Sequence, residues 1–202
     1  MKLNNKRTIL VGLAFLSICA FWQMYDSIVP LILTKTFHMN ETFSGAIMAA
    51  DNILALFLLP FFGSVSDKSH TKIGKRMPFI LFGTGCAIIL MNILPLLDNS
   101  YAAQPSGFKT ASFVIVLGLL LVAMGTYRSP AVALMPDVTP KPLRSRANAI
   151  INLMGAVGGI LYLGVAAVLY PNSKTAGVEH VNYQPLFIVV SAIMFIAVAV
   201  LF

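Results

Sequence analysis

The chain has 202 residues, 58% hydrophobic and 10% charged, with a formal net charge of +7 and a mean hydropathy of +0.85. Soluble domains carry about 45–50% apolar and about 25% charged residues, so too little polar surface remains here to cover a fold facing water. An ordinary soluble enzyme is excluded, and the solvent implied is a lipid bilayer.

A helix needs about 20 apolar residues to cross about 30 Å of hydrocarbon. Six stretches qualify, at 9–33, 43–65, 78–97, 112–135, 148–170 and 185–202. Lys2, Lys6 and Arg7 before the first stretch imitate a secretory signal, but the apolar run is too long and no small-residue cleavage site ends it. It reads as an uncleaved first span. Lipid offers the backbone no hydrogen-bond partners and no alternating barrel strands are seen, so the expected class is an all-α integral membrane protein. Polar and breaking residues fill the segments between spans, at 35–41, 66–76, 98–109, 136–146 and 171–182. Pro78 opens the third span, where its missing N–H costs nothing. Gly155 and Gly159 form a small-xxx-small pair suited to close helix packing in the fifth.

Basic residues orient the spans. Lys2, Lys6, Arg7, Lys68, Lys72, Lys75, Arg76, Lys141, Arg144 and Arg146 fall on one side; only Lys35, Lys109 and Lys174 fall on the other. The N-terminus is expected to be cytoplasmic in a multi-pass plasma-membrane protein. The positive charge is thus a topology signal; nucleic acid would need a contiguous basic face with exposed aromatics, and none is present. Cys19 and Cys86 lie inside apolar runs and suggest no disulfide framework. His38, His70 and His180 have no ligand spacing, and no nucleophile–base set, paired-cysteine motif or phosphate-binding loop occurs. No catalytic residue, metal site or cofactor is expected.

Ionisable residues within spans are expensive and point to function. They are Asp26, Asp51 and Arg128. At about 1.5 Å per residue, Asp26 and Asp51 lie about 8 Å and about 5 Å to the outer side of their span midpoints, and Arg128 lies to the inner side. Two carboxylates at one depth in a low dielectric do not both ionise cheaply, so one is expected to hold a proton or a sodium ion. Tyr25, Gln23 and Trp22 surround Asp26, an aromatic and amide lining suited to a sugar. The alternatives are a water-filled vestibule for Asp26, a helix–helix hydrogen bond for Asp51 and interfacial anchoring for Trp22.

The segment between spans two and three reads Gly63-Ser-Val-Ser-Asp67, then Gly74-Lys75-Arg76-Met-Pro78. Gly63 lets a neighbouring helix approach, Gly74 permits a turn, and Asp67 suits the positive end of a helix. This pattern resembles the loop signature of the major facilitator superfamily, in the long-gap form of its sucrose-transporter-type branch, related to the glycoside–pentoside–hexuronide cation symporters. Pro130 to Asp137, then Arg144-Ser-Arg146-Ala-Asn-Ala149, is similar to that branch's fourth-to-fifth-helix motif. The resemblance implies gating and proton coupling by Asp137 with Arg144 or Arg146. The family's usual fourth-helix arginine falls where this chain has Val132; Arg128 lies one turn earlier.

The resemblance implies twelve helices built from 3+3 inverted repeats. The chain is then expected to be the N-terminal six-helix half, 1–202, completed by a second half from the same chain or a homodimer. The activity expected is secondary transport of a sugar or glycoside coupled to protons or another cation. A non-transporting membrane scaffold is the alternative.

Overall fold

The computed structural model describes residues 5–175, 177–178 and 180–202. Lys2 and the side chain of Lys174, both used above for orientation, lie outside the described residues. Six helices are long and apolar enough to cross a membrane. They are α1 (Asn5–Leu31, extended by a wider π turn, Ile32–Thr36), α2 (Glu41–Lys68), α3 (Met77–Ala103), α4 (Gly107–Val138), α5 (Arg144–Leu169, after a 3-10 turn at Lys141–Leu143) and α7 (Gln184–Leu201). A single turn, α6 (Asn172–Thr175), precedes α7. There is no strand among the described residues.

Most helices overrun the apolar stretches, because polar end turns still bond internally and are capped. Asn40 caps α2 by accepting the Thr42 N–H at 3.1 Å. Pro78 sits in the first turn of α3 as expected. The segment 98–109, expected as a loop, is mostly helix: α3 runs to Ala103 and α4 begins at Gly107. There the Lys109 ammonium donates to the Ser100 and Gln104 carbonyls at 2.8 and 2.9 Å, a cation on the negative end of α3. Within α1, Pro30 lacks the N–H that the Asp26 carbonyl would otherwise accept.

The bundle is arranged around α1, which packs against α5, α7 and α4, while α3 packs on α4 and α7 and α2 leans on α4. In α1 56% of the apolar window is buried, against none in α2. Close crossings depend on glycine. A Cβ on Gly158 would stand 2.0 Å from the Leu16 carbonyl oxygen, and one on Gly155 2.9 Å from Cys19 Sγ. The contact pair is therefore Gly155 with Gly158, not Gly159, whose Cβ would clear the nearest atom, Gln23 Oε1, by 3.8 Å. The crossing follows an i, i+3 face of α5 rather than the i, i+4 row expected from sequence. On the other side of the bundle, a Cβ on Gly83 of α3 would meet the Tyr127 backbone nitrogen of α4 at 2.7 Å. Hydrogen bonds then link the apolar faces: Ser17 with the Tyr127 hydroxyl at 2.7 Å, Asn92 Nδ2 to Ser191 Oγ at 2.7 Å, and Ser129 Oγ to the Leu59 carbonyl at 2.7 Å.

Gly158→Ala is expected to force α1 and α5 apart and cost about 1–3 kcal/mol or more, the range for overpacking. Gly159→Ala should be within about 0.5 kcal/mol of neutral. Thermal unfolding in detergent micelles checks the pair, and equal losses from both would refute the i, i+3 crossing.

Candidate functional site

Two polar clusters sit on this frame, one at the basic end and one within the span level. At the basic end, α2 closes with Ser66, Asp67 and Lys68, and a turn leads back into α3. Gly74 takes φ +99°, a left-handed conformation that favours glycine, and its N–H donates to the Thr71 carbonyl at 3.1 Å. The turn presents Lys75 and Arg76 to the ends of α2 and α4.

Arg76 is almost wholly buried, its side chain 6% exposed. Its Nη1 donates to Ser66 Oγ at 3.1 Å, its Nη2 to Asp67 Oδ1 at 2.7 Å, and its Nε to Asp137 Oδ2 at 2.5 Å. One planar fork thus joins the end of α2 to the end of α4, a geometry that an ammonium point charge does not reproduce. Lys75 adds looser ion pairs, 3.3 Å to Asp137 and 3.7 Å to Asp67. Asp67 stands at the C-terminal end of α2, not at the positive helix end expected from sequence. The helix dipole disfavours a carboxylate there, and the two cations offset that cost. Gly63 does permit the approach of α4: its Cβ would lie 3.2 Å from Ser129 Oγ.

Asp137, grouped by the resemblance with Arg144 or Arg146, makes no ion pair with either among the described residues. Arg144 instead donates to the Pro136 carbonyl at 3.0 Å and the Thr139 carbonyl at 3.3 Å, capping the end of α4. Arg146 is exposed and makes no ion pair among the described residues. Residue spacing made Asp137 and the arginines visible as a group; that Arg76 reaches across from another loop is a tertiary fact with no local signal.

At span level, Trp22 of α1, Asp51 of α2 and Arg128 of α4 line one niche, with Leu54, Leu58 and Gly125 closing it. The Arg128 guanidinium lies 5.4 Å from the Trp22 ring centroid, a cation–π contact. No carboxylate pairs with Arg128 among the described residues. Asp51 accepts from the Asn52 amide at 2.8 Å, so the helix–helix hydroxyl bond considered for it is not made. Asp26 and Asp51 lie within electrostatic reach of one another and of Tyr25. Asp26 is exposed, while Tyr25 is buried and packs edge-on to Trp22 at 5.3 Å between centroids. Gln23 turns away from this group toward Gly159 of α5. Trp22 Nε1 and the Tyr25 hydroxyl are buried without any hydrogen-bond partner, an arrangement worth about 1–3 kcal/mol of lost solvation each unless a further group supplies the bond. The space among these side chains is ≈ 10 Å³, room for a single water at most. Among the described residues no cluster of three metal-ligating side chains occurs.

Arg76→Lys should cost about 1–3 kcal/mol, since two charge-assisted bonds lose their donor geometry. Asp137→Asn should cost more than Asp67→Asn, because Asp137 is the better shielded partner, 31% exposed against 56%. Melting temperatures of the three variants decide this; an Asp67 variant as damaging as the Asp137 one contradicts the ranking.

The Major Facilitator Superfamily profile matches residues 11–202. Over 158 residues the chain is 34% identical to Sucrose transport protein SUC3 of Arabidopsis thaliana, covering 72% of this chain and 26% of that protein. Over 154 residues it is 34% identical to Sucrose transport protein SUT3 of Oryza sativa subsp. indica, covering 69% of this chain and 30% of that one. Over 179 residues it is 26% identical to Alpha-ketoglutarate permease of Escherichia coli K12, covering 87% and 38%. The matches thus span between 26% and 38% of these curated relatives. Six membrane-crossing helices, a glycine-bearing turn that aims Arg76 at two helix ends, and a profile match over nearly the whole chain assign this protein to the Major Facilitator Superfamily.

Proposed function

We propose that the chain is the N-terminal half of a secondary transporter that moves a sugar or glycoside across the plasma membrane, coupled to protons or another cation. The observation that carries this reading is the set of unsatisfied polar groups at span level. Among the described residues Trp22 Nε1 and the Tyr25 hydroxyl lack partners, and the Arg128 guanidinium lies over the Trp22 ring with no carboxylate paired to it. Such groups fit a polyhydroxylated ligand, which offers acceptors to the indole and guanidinium and C–H faces to the rings. The niche itself has no room for a sugar, so binding one requires α1, α2 and α4 to part and open these buried groups toward a second half, supplied by the same chain or by another copy. The apolar surface that α2 leaves uncovered suits that second half.

Asp26 and Asp51 are the candidate ion-coupling pair. Two carboxylates within reach of one another suit a single bound proton or sodium ion, and substrate arrival at Trp22 and Arg128 would act on the same charges. The Arg76–Asp67–Asp137 cluster is the candidate gate at the cytoplasmic end, made and broken as the halves rock.

A second reading is an organic anion as substrate. It is favoured by the absence of a carboxylate partner for Arg128 among the described residues, and by the similarity to the Escherichia coli Alpha-ketoglutarate permease.

The test uses protein expressed from the whole reading frame and reconstituted in vesicles. Uptake of radiolabelled sucrose and of α-ketoglutarate is measured with and without an inward proton or sodium gradient. Gradient-driven sucrose uptake that falls about tenfold or more in Arg128→Gln supports the sugar reading, that factor being the loss of a charge-assisted hydrogen bond. Uptake of the dicarboxylate alone supports the anion reading. If folded protein takes up neither, a non-transporting scaffold replaces both. Asp26→Asn and Asp51→Asn are expected to remove the gradient dependence while leaving substrate-driven exchange.

A further inference from the structure

The end of the bundle opposite Arg76 holds a second charged group that plays no part in the sites above. Asp98, near the end of α3, is completely buried, and neither carboxylate oxygen has a hydrogen-bond partner. His180, from the segment leading into α7, stands 3.9 Å from it through Nε2. A buried carboxylate left unpaired costs several kcal/mol, so this one calls for a proton, a donor or a counter-charge.

The hydrogen bonds around His180 fix one of its protons. The Gln184 N–H donates to Asn182 Oδ1 at 3.0 Å, which settles that atom as an acceptor. Asn99 must therefore offer Asn182 its Nδ2, at 3.0 Å, and turn its Oδ1 to His180 Nε2 at 2.9 Å. An amide oxygen only accepts, so Nε2 carries hydrogen. Nδ1 lies 3.3 Å from the hydroxyl of Thr36, at the end of the π turn of α1, and that hydroxyl also lies within reach of Asp98.

Two proton states follow. With a neutral ring, the Thr36 hydroxyl must donate to Nδ1, and Asp98 keeps no donor. With a second proton on Nδ1, the ring donates to Thr36, the Thr36 hydroxyl is released to donate to Asp98, and an imidazolium faces a carboxylate. One added proton thus gives Asp98 both a hydrogen-bond donor and a counter-charge. We propose that Asp98 and His180 form a proton-binding site that locks the residues from His180 to Tyr183 onto α1 and α3, held when it has the proton and loosened when it loses it. Other titratable groups facing the pair are Lys35, His38 and Tyr101, which share a cavity of ≈ 640 Å³ with His180, and Tyr183, within electrostatic reach of Asp98. The Lys109 ammonium, on the carbonyls ending α3, completes the charged surroundings. Tyr170, at the end of α5, adds a hydroxyl that donates to the Asn182 carbonyl at 2.7 Å.

The test is amide hydrogen exchange of peptides that report on residues 180–183, corrected for the intrinsic pH dependence of exchange, in the intact protein. The wild-type segment should be protected near pH 5 and exchange at least about tenfold faster near pH 8, the window in which imidazoles change charge. Asp98→Asn, an uncharged isostere, should stay protected at both pH values. His180→Asn should be poorly protected at both, with native circular dichroism, and His38→Asn should keep the wild-type response. Wild-type protection that does not change with pH overturns the proposal. So does an unaltered pH response in either the Asp98 or the His180 variant, or its loss in His38→Asn.

Discussion

The backbone of α5 rests on the backbone of α1, and the polar layout of the protein depends on that contact. Leu16's carbonyl oxygen occupies the place of a side chain at Gly158. In a bilayer, apolar burial between helices supplies little attraction, since lipid tails are as apolar as leucine; close backbone approach and interhelical hydrogen bonds supply it instead. With one face of α1 committed to α5 and another to α7, the remaining arc turns to α2 and α4. Trp22, Tyr25 and Asp26 lie on or beside that arc, so a glycine on α5 determines where the polar residues of α1 point.

Much of this was legible in the sequence. Six apolar runs and the bias of basic residues defined six helices, because a bilayer leaves the backbone no alternative. Gly63, Gly74, Asp67 and Arg76 carried a recognisable spacing, and the structure assembles them at one helix end. What escaped the sequence was partner choice. Spacing in α5 suggested Gly155 with Gly159, but the crossing angle of α1 selected Gly158. Asp137 sat near Arg144 in sequence, yet a backbone-capping role took Arg144 and a distant loop supplied Arg76. Asp98 looked like a loop residue because a polar run follows it; helix capping by Lys109 kept the chain helical and carried its carboxylate into the interior.

The ionisable groups fall at three levels. Arg76 is paired with two carboxylates and a hydroxyl, one bond from each of its three nitrogens. Arg128, Asp26 and Asp51 are incompletely matched, with an aromatic face in place of a counter-ion. Asp98 and His180 are matched in one proton state only. This gradation parallels the roles proposed for the three groups. Complete satisfaction fixes a structure, whereas incomplete satisfaction leaves a free-energy difference for a ligand or a proton to supply.

The Arg76 fork also has a mechanical side. Bonds to Ser66 and Asp67, neighbours pointing in different directions around α2, fix the azimuth of that helix as well as its distance from α4. Asp51 lies sixteen residues up the same helix, about 24 Å away at the α-helical rise. Pro60 lies between the two and removes one backbone hydrogen bond, but the helix runs unbroken from Glu41 to Lys68. If the fork let go and α2 rolled by about 20°, a carboxylate at a radius of about 5–6 Å would sweep about 2 Å sideways. That distance is enough to bring Asp51 toward Arg128 or to withdraw it. A roll of α2 would therefore move the polar niche at span level when the charge cluster at the helix end opens, to the extent that the turn around Pro60 transmits it.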